Sequence, residues 1–196
     1  GLGAGQSTTT GFHLVAIGRN ALVANTTGDS NIAIGRACME ATTTASNNTA
    51  IGKHAMLSNT TGTKNVAVGA LALDANTTAN DNTALGYGSL TANTTGTANT
   101  AVGGESVLGS NSTGSNNTSV GYQSLTSNTT ASNNTAVGYN SLVLNTTGTQ
   151  NVAVGSGALD ANTTGNFSTA VGVAALGANT TGEQNTAIGL SALLTN

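Results

Sequence analysis

Proline and tryptophan are absent from this chain of 196 residues, cysteine occurs once, and charged residues make up 6%, about a quarter of the usual share. Each shortage excludes something. Four Lys and Arg against seven Asp and Glu leave a net charge of −3, without the broad basic surface that nucleic acid or an anionic membrane requires. A single thiol, Cys38, allows no intramolecular disulfide, so covalent staples do not hold the fold. No apolar run approaches the roughly 18 residues needed to span a bilayer, and no basic-then-apolar leader opens the chain. Leu, Ile, Val and Phe total only 37 residues, a level at which disorder becomes an option, but the high net charge of disordered chains is missing too. What fills the space is neutral and polar: 36 Thr, 26 Asn and 27 Gly.

These residues are periodic. Ala16, Ala33, Ala50, Ala67, Ala84, Ala101, Ser119, Ala136, Ala153, Ala170 and Ala187 are 17 apart at every step but one, which is 18. The consensus is N-[TV]-A-[IV]-G-x-x-[AS]-L-x-[AS]-N-T-T-[GA]-x-x, without a linker or boundary, so residues 1–196 form one continuous repeat domain. Gly1 falls on the glycine after the Ile/Val position and Asn196 on the Asn of N-T-T. That phase gives the expectation of a slice of a longer filament, beginning and ending within a repeat.

Two apolar columns are complete. The first is Ile17, Ile34, Ile51, Val68, Leu85, Val102, Val120, Val137, Val154, Val171 and Ile188; the second is Leu22, Met39, Met56, Leu73, Leu90, Leu108, Leu125, Leu142, Leu159, Leu176 and Leu193. Two residues before the first column stand Val15, Ile32, Thr49, Val66 and Thr83, with a small Ala between, which is strand patterning. Helical repeats are excluded, because 17 residues rich in Gly, Asn and β-branched Thr cannot supply two amphipathic helices. The charged residues gather after Gly18 and Gly28 and their equivalents, marking corners. At three of the second corners Ala45, Ala79 and Ala131 replace glycine, a costly exchange wherever φ is positive. The expected fold is all-β: a parallel β-solenoid of about eleven 17-residue coils, each stacked about 4.8 Å on the next, making a rod about 50 Å long.

Stacking puts like on like. Asn31, Asn48, Asn65, Asn82, Asn99, Asn117, Asn134, Asn151 and Asn185 form one ladder, interrupted at Ser168. Asn25, Asn59, Asn76, Asn93, Asn111, Asn128, Asn145, Asn162 and Asn179 form a second, interrupted at Thr42. Amides bonding to amides above and below would hold the register. One coil offers two large apolar residues against ordering costs of about 1–2 kcal/mol per residue, so a partner chain is expected. Either apolar column can fill the coil while the other faces a symmetry axis, and three identical chains are the favoured assembly.

The strings N-T-A-I-G (Asn48 to Gly52), N-V-A-V-G (Asn65 to Gly69) and N-T-A-V-G (Asn134 to Gly138) resemble the head repeats of trimeric autotransporter adhesins. N-N-T-A-V-G-Y-N-S-L (Asn133 to Leu142) with its N-T-T-G linker is similar to repeats of phage tail fibres. The likeness runs through the whole chain, although 17 residues is longer than the usual adhesin unit. It implies a left-handed parallel β-roll, a homotrimer, and an extracellular, cell-surface or virion location.

Chemistry would have to break the repeat, and few residues do. His13 and His54 sit at corners without metal-ligand spacing. Cys38 takes a small packing position without a His or Asp partner. Glu40, Asp74, Asp81, Glu105, Asp160 and Glu183 are isolated. The 18-residue unit carries an extra residue near Gly104, Glu105 and Ser106, read as a bulge or a ligand contact. Tyr87, Tyr122 and Tyr139 share one corner position, where aromatic rings could stack on sugars. The nine Asn of the second ladder are also N-x-[ST] acceptor triplets, read either as turn chemistry or as glycosylation sites. The expected function is a non-enzymatic fibre shaft without cofactor or metal, whose partners are its own copies and, through a tip domain outside this segment, a cell-surface glycan. It neither binds nucleic acid nor inserts into a membrane. The alternative is a ligand-binding solenoid, ice first and glycan second, although N-T-T presents one outward Thr per coil instead of a paired array.

Overall fold

The computed structural model describes residues 1–195, which leaves the Asn196 position outside the described residues. Eleven three-residue strands run from β1 (Val15–Ile17) to β11 (Thr186–Ile188). Each pairs in parallel with the next in sequence, in the order β1 to β11 without a crossover. The register is like on like: Val15 opposite Ile32, Ala16 opposite Ala33, Ile17 opposite Ile34. Between β6 (Thr100–Val102) and β7 (Thr118–Val120) the register still matches, Ala101 opposite Ser119, so the eighteenth residue is absorbed in the corner. Among the described residues no helix is long and apolar enough to cross a membrane.

Strand alternation assigns the faces. The middle residue of each strand points inward, and Ala33, Ala50, Ala67, Ala84 and Ala101 are fully buried. The flanking residues point outward. Opposite the Ala column lies the Leu column: Leu22 through Leu176 are fully buried. The coil is therefore filled by Leu or Met, Ala and a second small residue, and the Ile/Val column lies on the outside. Of the two arrangements open from the sequence, only the one with Leu inside is realised, because a thin coil has room for one large side chain per level.

The Leu column has a second property. Leu22, Met39, Met56, Leu73, Leu90, Leu108, Leu125, Leu142, Leu159, Leu176 and Leu193 all have φ between 49° and 54°, the left-handed region that L-residues seldom occupy. A β-branched residue is worst there, and the column contains none. Glycines Gly18, Gly35, Gly52 and their equivalents take φ from 120° to 142° at the end of each strand, a range essentially reserved for glycine. Ala45, Ala79 and Ala131 are a different case: they are buried and none is at positive φ, so alanine there carries no strain from φ. The left-handed residue of that corner comes two positions later, at Asn47, Asp81 and Asn133.

Candidate functional site

The N-T-T-G segment and the strand that follows it build three hydrogen-bonded columns along the rod. In the first Asn ladder the Asn48 backbone N–H donates to Asn31 Oδ1 at 3.0 Å while Asn48 Nδ2 donates across the coil to the Gly62 carbonyl at 2.9 Å. The same pair recurs at Asn65, Asn82, Asn99, Asn117, Asn134 and Asn151. At the break, Ser168 N–H donates to Asn151 Oδ1 and Ser168 Oγ accepts from Asn185 N–H, so serine relays the column. The amides thus bond mainly to backbone, with amide-to-amide bonds of 3.1–3.3 Å beside them where Asn48, Asn65, Asn99 and Asn117 donate to the Oδ1 one coil back.

The second ladder is the amide-to-amide chain. Asn76 Nδ2 donates to Asn59 Oδ1 at 2.8 Å, and the chain continues through Asn93, Asn111, Asn128, Asn145, Asn162 and Asn179. The same Nδ2 also bonds a carbonyl three residues on, as Asn162 does to Gly165. All nine Asn, including Asn25, are buried. This overturns the reading of Asn25, Asn59, Asn76, Asn93, Asn111, Asn128, Asn145, Asn162 and Asn179 as glycosylation sites of the folded chain. A sugar on Nδ2 would remove the bonded amide from inside the coil.

Thr42 breaks this ladder, and Asn25 Oδ1 below it is buried without a donor. Thr42 instead donates its hydroxyl to the Asn59 carbonyl at 3.1 Å. Thr42→Asn supplies the missing donor, and an unmade buried hydrogen bond costs about 1–3 kcal/mol. With the Thr42 bond lost in exchange, a net gain of about 1 kcal/mol is expected, a rise of about 2–4 °C in the unfolding midpoint. Calorimetry of the variant checks it; an unchanged or lower midpoint contradicts the ladder account.

The third column was not legible from residue type. The first Thr of each N-T-T donates its hydroxyl to the carbonyl of its equivalent one coil on, as Thr60 does to Thr77 at 3.0 Å and Thr146 to Thr163 at 3.0 Å. The second Thr, such as Thr61 or Thr147, is exposed. The segment therefore presents one outward hydroxyl per coil, as its alternation predicts.

Among the described residues the outer strand face has no partner. It consists of the Ile/Val column and the Val/Thr column two residues before it, with no charged residue in either from Val15 to Ile188. Ile51 and Val66 remain 38% exposed and Leu85 45%, although each is shaded by neighbours above and below. The strip is about 48 Å long, ten strand steps of about 4.8 Å, and about 7–10 Å wide. That is on the order of 400 Å², the size of the largest patch on an ordinary monomer, a patch that is often functional, although seven of the eleven residues of the second column are Thr.

The other candidate positions are dispersed. Cys38 is buried, its thiol pushed up to about 12 by that burial, and donates to the Ala50 carbonyl at 3.2 Å; it stays protonated and packed. Desolvation raises the Asp160 carboxyl. Ser119, in the Ala column, is accommodated by Ser124, whose carbonyl accepts its hydroxyl at 2.8 Å. In the 18-residue coil Glu105 and Ser106 both have positive φ, and Tyr122 donates its hydroxyl to Glu105 Oε2 at 2.7 Å. That carboxylate raises the exposed phenol. Among the described residues no three His, Cys, Asp or Glu gather as metal ligands.

Comparison with family models, curated proteins and solved structures gives no match.

Proposed function

We propose that this chain is a shaft segment of an extracellular or virion-borne fibre, non-catalytic, in which three identical copies bury their outer strand faces against one another. The observation that carries the reading is the uncharged strip, β-branched but for Leu85, running along all eleven strands on the outside of the coil. A solenoid that already holds its Leu column inside has no need of a second apolar column facing water. Copies meeting along parallel axes bury that column over its whole length, and a threefold axis lets each copy use both edges of its strip. The N-x-A-[IV]-G resemblance to trimeric autotransporter heads supports the same assembly. Mechanically, the in-register sheet and the Asn and Thr columns resist slippage, since a shift of one residue would set amides against Leu.

The strip is on the surface of the single coil, so charge placed there leaves the coil itself intact. Val120→Asp with Val154→Asp, two coils apart so that the carboxylates do not sit on paired residues, is expected to keep the β-sheet circular dichroism of the wild type and to elute as the single chain in gel filtration. Undiminished association of this variant contradicts the reading, and so does ice-growth inhibition by a wild type that runs as a single chain.

A further inference from the structure

One corner column collects most of the unusual side chains of the molecule. In the position after the strand-ending glycine stand Arg19, Arg36, Lys53, Ala70, Tyr87, Gly104, Tyr122 and Tyr139 on consecutive coils. Three of the four basic residues and all three tyrosines of the chain share this one position out of 17. The column is physically continuous at both ends. The carbonyls of Arg19, Arg36 and Lys53 accept from the N–H groups of Ala37, His54 and Leu71 on the next coil at 2.8, 3.0 and 3.0 Å. The rings of Tyr122 and Tyr139 stack at 5.4 Å with 8° between their planes. All six side chains are exposed.

The fold gives no reason for this grouping. Three like charges on neighbouring coils repel. Glu40, the acid nearest in sequence to Arg36, is bonded to Asn20 Nδ2 at 2.9 Å. Beyond the stacking of Tyr122 on Tyr139 and the exposed hydrogen bond of Tyr122 to Glu105, the tyrosines gain nothing from folding. At Gly104 a side chain would meet open space, which leaves a gap in the column between Tyr87 and Tyr122.

We infer that this corner is a binding track for an extended acidic polysaccharide, its carboxylates on Arg19, Arg36 and Lys53 and its rings on Tyr87 and on the outer faces and edges of the Tyr122–Tyr139 stack. A cation ladder with a step of about 4.8 Å matches a linear polymer with one negative charge per unit. An extended chain of pyranose rings advances by about one such step per ring. Arg and Lys bind carboxylates by charge-assisted bonds, and the apolar faces of pyranose rings lie on Tyr. From Arg19 to Tyr139 is seven coil steps, about 34 Å, room for about seven sugar units. Glu105, at the aromatic end, accepts the Tyr122 hydroxyl and lies away from the cations that take the carboxylates. Single-stranded nucleic acid also combines phosphate with stacking bases, but three cations confined to one end of the track neutralise few phosphates. The track is a property of the single coil and does not rest on the threefold assembly.

Native electrophoresis of the full chain through gels cast with sodium polygalacturonate, dextran or poly(dT) tests this. Retardation by polygalacturonate that weakens with salt is expected, with dextran inert. The triple variant Arg19→Ala, Arg36→Ala, Lys53→Ala is expected to lose at least tenfold in apparent affinity at an unchanged melting midpoint. Tyr122→Ala with Tyr139→Ala is expected to lose severalfold without changing the salt dependence. No retardation by polygalacturonate, equal retardation of the triple variant, equal retardation by dextran, or tighter binding of poly(dT) each overturns the inference. Gel filtration of the same samples separates this outcome from the assembly reading, because the triple variant leaves the strand face untouched.

Discussion

Replacing Gly138 by alanine is expected to lower the unfolding midpoint by roughly 8–16 °C, the equivalent of about 4 kcal/mol for a chain of this size. Two effects add. Gly138 has φ of 139°, where an L-residue carries about 1–3 kcal/mol of strain. Its new Cβ would also lie 2.6 Å from the Gly155 oxygen and 2.7 Å from the Gly155 carbonyl carbon, backbone atoms of the next coil that cannot swing aside. Moving them breaks the ladder above, and in a stack whose units touch only their neighbours, a mid-rod defect uncouples the two halves. Gly148→Ala is the matched comparison. Its new Cβ would press on the Gly165 backbone oxygen and on Asn145 Oδ1 as closely as that of Gly138 does on Gly155, but the column accommodates alanine at Ala45, Ala79 and Ala131 and lies outside the positive-φ region, so a loss smaller by the φ strain of about 1–3 kcal/mol is expected. Thermal melts of the two variants side by side read the difference; equal midpoints contradict the assignment of strain to the strand-ending glycine.

The second large effect lies in the Leu column, where shape matters as much as volume. Leu125 is fully buried at φ 50°. Leu125→Ala is expected to cost about 3–4 kcal/mol for lost transfer and a cavity. Leu125→Ile keeps the volume, and in an ordinary core such an exchange costs less than about 1.5 kcal/mol. Here branching at Cβ meets a left-handed backbone, so a loss of about 3 kcal/mol is expected, close to that of alanine. Leu125→Met should cost under about 1 kcal/mol, as methionine occupies the same column at Met39 and Met56. Denaturant midpoints of the three variants decide; Ile behaving like Met contradicts the account.

The period, the strand position and the like-on-like register were legible from the sequence, because each rests on side-chain identity recurring at one spacing. Ala16 and its equivalents between two larger residues identified the strand, and Asn48 above Asn31 identified a ladder. Which apolar column lies inside was not settled by hydrophobicity, since Ile34 and Met39 are both apolar. The deciding signal was subtler: a column of Leu and Met without one β-branched residue marks a left-handed backbone, and a neighbouring column that is nearly all β-branched marks an extended one. The Asn25 column misled for a related reason. An N-x-[ST] triplet specifies an acceptor sequence but not the side of the coil on which the amide lies, and Asn76, bonded to Asn59 and Ala79, faces inward. The corner track from Arg19 to Tyr139 was half visible, as three tyrosines in one position. Its basic end, Arg19, Arg36 and Lys53, stands in the same position after the strand-ending glycine, and stacking adds that all six side chains are exposed along one line.

Sedimentation equilibrium of the wild-type chain bears most directly on the assembly. Burial of the outer strand face by three copies predicts a single species of three times the 18.9 kDa chain mass. A species that stays at 18.9 kDa up to high protein concentration, with its β-sheet spectrum intact, would contradict it.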